Sequence, residues 1–166
     1  MKILVTGANG MLAKEVKEKF AKENEVIATD VSELDITNEK KVMEYVENTK
    51  PEYIINCAAY TAVDKAEENY DLADRINGDG PTNLAKAAKK VGAKLVHIST
   101  DYVFGGDLDI SKDYKENDEK HPVTAYVGLP CWSDTTFISS LVDPNFVIVF
   151  TKLFPPTPYN HAVLKM

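Results

Sequence analysis

Three places in this sequence combine residue types and spacings that could do chemistry. The first is Thr6-Gly7-Ala8-Asn9-Gly10-Met11-Leu12-Ala13, which follows an apolar run and opens a stretch of helical periodicity. Gly7 permits a tight reversal, and Gly10 leaves the backbone open to a pyrophosphate. Past Asn9 and Gly10, the amides at Met11 and Leu12 offer donors at the positive end of a helix dipole. Ala13 stands where a small residue lets helix and strand pack closely. The second place is Asp30, 20 positions after Gly10. A carboxylate there can accept hydrogen bonds from ribose hydroxyls and would repel a 2′-phosphate. No Lys or Arg follows in Val31-Ser32-Glu33, so the spacing predicts a dinucleotide site that prefers NADH to NADPH, with Asp35 and Ile36 flanking the adenine edge. The third place is the run His97-Ile98-Ser99-Thr100-Asp101-Tyr102-Val103-Phe104 together with Tyr126, which closes His121-Pro122-Val123-Thr124-Ala125-Tyr126. Thr100 can donate to a substrate oxygen, and a phenol in a dry cleft can pass a proton to oxygen as hydride reaches carbon.

Elements that could position these groups are legible on either side of them. Lys2 to Thr6, Glu25 to Thr29, Tyr53 to Cys57 and Lys94 to Ser99 are short and almost wholly apolar, as strands covered on both faces should be. Asn145 to Thr151 adds a fifth. Leu12, Val16 and Phe20 predict one apolar stripe on a first helix. Val42 and Val46 do so on a second, with Thr37 as its N-cap and Glu39 in its first turn. Val63 to Ile76 predicts a third helix with Ala66, Tyr70 and Ala73 inward. Pro81 to Val91 predicts a fourth with Leu84, Ala85 and Ala88 inward. Strands alternating with helices, joined by right-handed crossovers, give an α/β fold: a doubly wound parallel sheet in three α/β/α layers, its ligands beyond the carboxyl edge.

Composition narrows the function classes. The chain has 166 residues, 44% hydrophobic and 27% charged, the size and balance of one globular domain. With 19 Lys+Arg against 26 Asp+Glu and a net charge of −7, it would repel a phosphate backbone, and no basic stripe overrides that field. Lys40-Lys41, Lys89-Lys90 and the one arginine, Arg75, read as solvated helix faces, so no nucleic-acid partner is expected. No apolar stretch approaches the roughly 18 residues of a membrane span, and no secretory core follows Met1. Two cysteines are too few for a disulfide framework; Cys57 reads as a small buried hydrophobe, and a reducing cytoplasmic setting is expected. His97 reads as core, while His121 and His161 lack metal-ligand spacing, so no metal site follows from the residues themselves. Asp64, Glu67 and Glu68 read as a solvated helix face with Lys65.

From Met1 to Tyr126 the sequence resembles the dTDP-4-dehydrorhamnose reductases of the extended short-chain dehydrogenase/reductase family. The resemblance rests on the Thr6-Gly7-Ala8-Asn9-Gly10 turn, the segment from Asn56 to Glu67 (NCAAYTAVDKAE), Asn77, and the Ser99-to-Phe104 signature. It implies a Rossmann domain with a smaller substrate domain, and NADH- or NADPH-dependent reduction of the 4-keto group of a dTDP-sugar. Thr100 would polarise that keto oxygen and Tyr126 protonate it. Ala58, Ala59 and Tyr60 would line the nicotinamide ribose, with Asn77 also on the cofactor. Val63, Asp64, Asp101 and Tyr102 would border the sugar nucleotide. A homodimer is the implied assembly, and Glu15 falls where some members bind Mg²⁺ at a dimer contact.

The tail departs from this pattern. Family members place a lysine four residues after the catalytic tyrosine, binding the nicotinamide ribose and lowering the phenol pKa; here that position is Pro130. Residues 127–166 carry five of the eight prolines and only two of the 26 acidic residues, so a Rossmann core over 1–126 is expected to precede a divergent tail with a strand at 145–151 and most of the substrate domain absent. Three readings follow: an impaired reductase, a non-catalytic dinucleotide-binding regulatory module, or an active reductase with an altered tail.

Overall fold

The computed structural model describes residues 1–66, 68–100 and 146–151. Five strands form one parallel sheet: β1 (Lys2–Thr6), β2 (Glu25–Thr29), β3 (Tyr53–Asn56), β4 (Lys94–Thr100) and β5 (Phe146–Thr151), in the order β2-β1-β3-β4-β5. Register is continuous across the middle: Leu4 pairs Ile54, Ile54 pairs Leu95, and Leu95 pairs Phe146. The order reverses between β1 and β3, where parallel sheets open a crevice at their carboxyl ends.

Alternation along the strands divides the core between two faces. Leu4, Ile54 and Leu95 meet Val42 and Val46 of α2 (Glu39–Thr49) and Leu84, Ala85 and Ala88 of α5 (Gly80–Val91). Ile3, Val5 and Ile55 point the other way onto Ala13 of α1 (Met11–Phe20), with Val16 packed alongside. Both sides of the sheet are therefore covered, which is why these strands are apolar throughout. No helix among the described residues is long and apolar enough to cross a membrane.

Several elements differ in detail from the sequence reading. On α1 the buried positions are Ala13 and, in part, Val16, whereas Leu12 and Phe20 are exposed. The helix starts at the crevice mouth, so its first turn faces the opening and the close approach falls to a small residue. The N-cap of α2 is Asn38, whose Oδ1 accepts from the Lys41 amide at 3.0 Å; Thr37 instead turns its hydroxyl to Asp35. The helix expected over 63–76 is interrupted. α3 (Val63–Ala66) stops, α4 (Tyr70–Asp74) restarts, and a π-helical turn over Arg75–Asp79 leads directly into α5. Asn69 makes the join: its amide and side chain both donate to the Lys65 carbonyl, and its own carbonyl accepts from Leu72 and Ala73. Ala66 and Ala73 are buried as expected, but Tyr70 is exposed because the break changes the phase of the stripe.

Candidate functional site

The turn after β1 is shaped by contact with the segment that follows β3. Gly7 has φ +69°, and a Cβ there would lie 2.7 Å from the backbone of Ala58, so both conformation and space require glycine. The Gly10 amide closes the turn on the Gly7 carbonyl at 2.9 Å, and the Ala8 amide ties it to Thr29 at the end of β2 at 3.0 Å. Lys17 reaches back from α1 to the Ala8 carbonyl at 3.0 Å. Gly10 sits at the N-cap with no side chain to cap the helix, and the first turn of α1 holds no acidic residue. The first amides of α1 are thus left for an anionic group.

Asp30 stands beside this turn and is held by backbone. Its Oδ2 accepts from the Asn9 amide and its Oδ1 from the Val31 amide, each at 2.8 Å. Its own amide donates to Glu33 at 3.0 Å. That bond and one from Ser32 hold the Glu33 carboxyl below its usual pKa. Asp35 is fixed in the same way: its Oδ1 accepts from both the amide and the hydroxyl of Thr37, at 2.9 and 2.8 Å.

The crevice floor is a buried polar bridge across three strands. Asn56 Oδ1 accepts from the Thr6 hydroxyl at 2.6 Å and from the Ala58 amide at 3.1 Å, and its Nδ2 lies 2.9 Å from His97 Nδ1. With Oδ1 committed to two donors, the Asn56 amide nitrogen must donate to His97, whose Nδ1 accepts. Burial lowers the His97 pKa to about 4, so the ring is neutral and carries its proton on Nε2. Just past the end of β3, burial pushes the Cys57 thiol up to about 11, which keeps it protonated and unreactive. The following segment is clamped to the π-turn: the Tyr60 amide donates to Asn77 Oδ1 at 2.8 Å, and Asn77 Nδ2 donates to the Tyr60 carbonyl at 3.2 Å.

Together these parts enclose a crevice of about 750 Å³, lined from the sequence-predicted set by Gly7, Gly10, Met11, Leu12, Asp30, Asp35, Ile36, Ala58, Ala59 and Asn77. Asn9 and Tyr60 support it through their backbones without lining it. Thr100 ends β4, paired with Thr151 of β5, and Val63 and Asp64 open α3. Asp101, Tyr102 and Tyr126 lie outside the described residues. Glu15 is exposed on α1, and among the described residues no group of three or more His, Cys, Asp or Glu gathers to hold a metal ion. Ser99, from the run expected at the carboxyl edge, also lines the crevice, as do Thr37, Cys57, Arg75 and His97, which sequence reasoning did not place there. Ser99 and His97 alternate on β4 at its carboxyl end, a signal that was available; Arg75 gave none, because only the break before α4 and the π-turn bring it round.

The profile of the RmlD substrate binding domain family matches residues 1–160. The chain belongs to the RmlD substrate binding domain family. Within the RmlD family it is 46% identical over 126 residues to the dTDP-4-dehydrorhamnose reductase of Mycolicibacterium smegmatis, covering 75% of this chain and 38% of that one. Among solved structures it resembles a dTDP-4-dehydrorhamnose reductase of Clostridium acetobutylicum, with 50% identity and TM-score 0.82 over 90% of this chain and 52% of that one. It also resembles the Bacillus anthracis dTDP-4-dehydrorhamnose reductase in complex with NADP, with 41% identity and TM-score 0.83 over 91% and 53%. The RmlD-family chain thus has the doubly wound Rossmann sheet of those structures, and spans about half the length of the relatives it matches or less.

Proposed function

We propose that this chain carries the cofactor-binding unit of an NAD(P)H-dependent reductase acting on a 4-keto-6-deoxy sugar nucleotide of the dTDP-4-dehydrorhamnose type. The observation that carries the reading is the crevice itself: a strand-to-helix turn with bare helix amides, and a carboxylate beside it just past the end of β2. A pyrophosphate suits the open N-terminus of α1, where Gly10 leaves room, and the ribose hydroxyls suit Asp30, which gives NADH the advantage over NADPH. When bound, the nicotinamide supplies a hydride to the sugar's keto carbon. The residues carried over from the family then act on the oxygen: Thr100 donates a hydrogen bond to it and Tyr126 delivers the proton that completes the hydroxyl, with Val63, Asp64, Asp101 and Tyr102 against the sugar nucleotide. The relatives described above are dTDP-4-dehydrorhamnose reductases, which supports this substrate class; a homodimer and a Mg²⁺ contact through Glu15 rest on the resemblance alone, as does a cytoplasmic setting.

One sequence feature favours a second reading. Pro130 occupies the position of the lysine that should assist Tyr126. An unassisted phenol has a pKa near ~10, and general acid catalysis contributes about 10²–10⁴-fold, so turnover should be slow or, in a purely regulatory dinucleotide-binding module, nil. Titrating the chain with NADH by fluorescence, then assaying NADH oxidation with the dTDP-4-keto sugar, tests both. Saturable binding with slow, Tyr126-dependent turnover is expected. Binding without turnover would favour the module, and absence of binding would remove both readings.

A further inference from the structure

We propose that Asn83, which does not itself line the crevice, is a positioning residue for its adenosine end, holding the Asp35–Thr37 segment from α5 through the carbonyl of Ile36. The inference rests on the dinucleotide reading above, in which Asp35 and Ile36 flank the adenine, and goes beyond it by naming what fixes them. Asp35, Ile36 and Thr37 line the crevice but belong to neither β2 nor α2. The segment ties itself together only in part. The Leu34 amide donates to the Asp30 carbonyl at 2.8 Å, the Asn38 amide to the Asp35 carbonyl at 3.1 Å, and the amide and hydroxyl of Thr37 to Asp35 Oδ1. Ile36 is held from outside, by α5. Asn83 Nδ2 donates to the Ile36 carbonyl at 3.0 Å, across 47 positions of sequence, and both residues are buried. One turn earlier, Gly80 leaves the space that the Ile36 side chain fills, since a Cβ there would lie 2.5 Å from Ile36 Cδ1. Residues three apart share a helix face, so one face of α5 grips both the carbonyl and the side chain of Ile36. Leu84, Ala87 and Ala88 around Asn83 are fully buried. A buried amide in such apolar company is costly unless it is bonded, and the bond to Ile36 is what Asn83 supplies. The other walls of the crevice have separate supports: the first turn is tied to Thr29, and the Ala58–Tyr60 segment to Asn77. Loss of the Asn83 bond therefore loosens the adenosine end alone.

The test measures Kd values for the full chain by calorimetry with NADH, with 5′-AMP, which carries only the adenosine end, and with reduced nicotinamide mononucleotide, which carries only the other. Asn83→Leu keeps the volume, suits the apolar surroundings and removes the donor. It should weaken NADH and 5′-AMP about fivefold, the scale of one neutral hydrogen bond, and leave the mononucleotide within about twofold. Gly80→Ala, whose helical φ of −56° accepts a side chain, pushes on Ile36 from the other side and should give the same pattern; if Asn83→Leu does not fold, Gly80→Ala alone decides. A merely structural role would weaken all three ligands alike. That result, or no loss for any, would overturn the proposal while leaving the cofactor reading intact, and failure of the unmodified chain to bind NADH would remove both. Where the fragments bind too weakly to titrate, hydrogen exchange decides: bound NADH should slow the amides of residues 34–38 in the unmodified chain and no longer do so in the variant, and equal protection in the two would overturn the assignment.

Discussion

At the scale of single residues, the two glycines of the first turn are separable. Gly7→Ala brings a Cβ to 2.7 Å from the Ala58 backbone just past β3 at a positive φ, so it should destabilise the fold by several kcal/mol, read as an earlier midpoint in urea. Gly10 has an ordinary φ, and a Cβ there would meet only the Gly7 carbonyl, at 3.2 Å. Gly10→Val should therefore leave a folded protein by circular dichroism but abolish NADH binding. Normal binding by that variant would show that this turn does not hold the phosphates. His97 makes a different prediction. Its folded pKa of about 4 lies below the 6.5 of an unperturbed histidine, so between those values the unfolded chain takes up a proton that the folded chain refuses. This stability is complete above pH 6.5 and is lost as pH falls toward 4, by on the order of 3 kcal/mol. Urea unfolding at pH 7 and pH 4.5 should show the drop, and His97→Gln should flatten it; an unchanged pH difference in that variant would assign the drop to other groups.

At the scale of elements, the strands and the inward faces of α2 and α5 were legible, whereas the stripe of α1 and the course of residues 63–80 were not. Parallel strands covered on both faces are unbroken apolar runs, and all five stand within a residue of where the sequence puts them. The stretch 63–80 defeated periodicity because Asn69 ends one helix and starts another, and because a π-turn shifts the phase that a 3.6-residue count assumes. The same shift hides Arg75 from a sequence reading while leaving Asp30 and the first turn plain, since those follow strands directly. α2 ends on Lys50 with φ +46°, the one non-glycine residue with positive φ among those described. Lys50→Gly relieves that conformation and should raise stability by about 0.5–1 kcal/mol, checked as a higher midpoint in urea with unchanged slope. A lower midpoint would mean that the lysine side chain contributes more than its backbone costs.

At the scale of the whole molecule, the sheet order places the turn after β1, the acidic residue after β2 and the polar ends of β3 and β4 at one edge, so the site is a property of the topology and no single element contains it. That much was legible from the alternation of strands and helices; the polar bridge beneath the site was not, because Thr6, Asn56 and His97 each read as an ordinary residue at the end of an apolar run. The bridge bears on how the chain folds. Its bonds join residues 50 and 41 positions apart in the chain, and a slip of one residue in β3 would turn Asn56 to the other face and bury its amide without these partners. Misregistered pairings of β1, β3 and β4 are thereby penalised. Long-range parallel pairing is slow. Competence to bind a dinucleotide should therefore arrive late in refolding, together with the last cooperative step, and make the ligand a reporter of correct strand alignment.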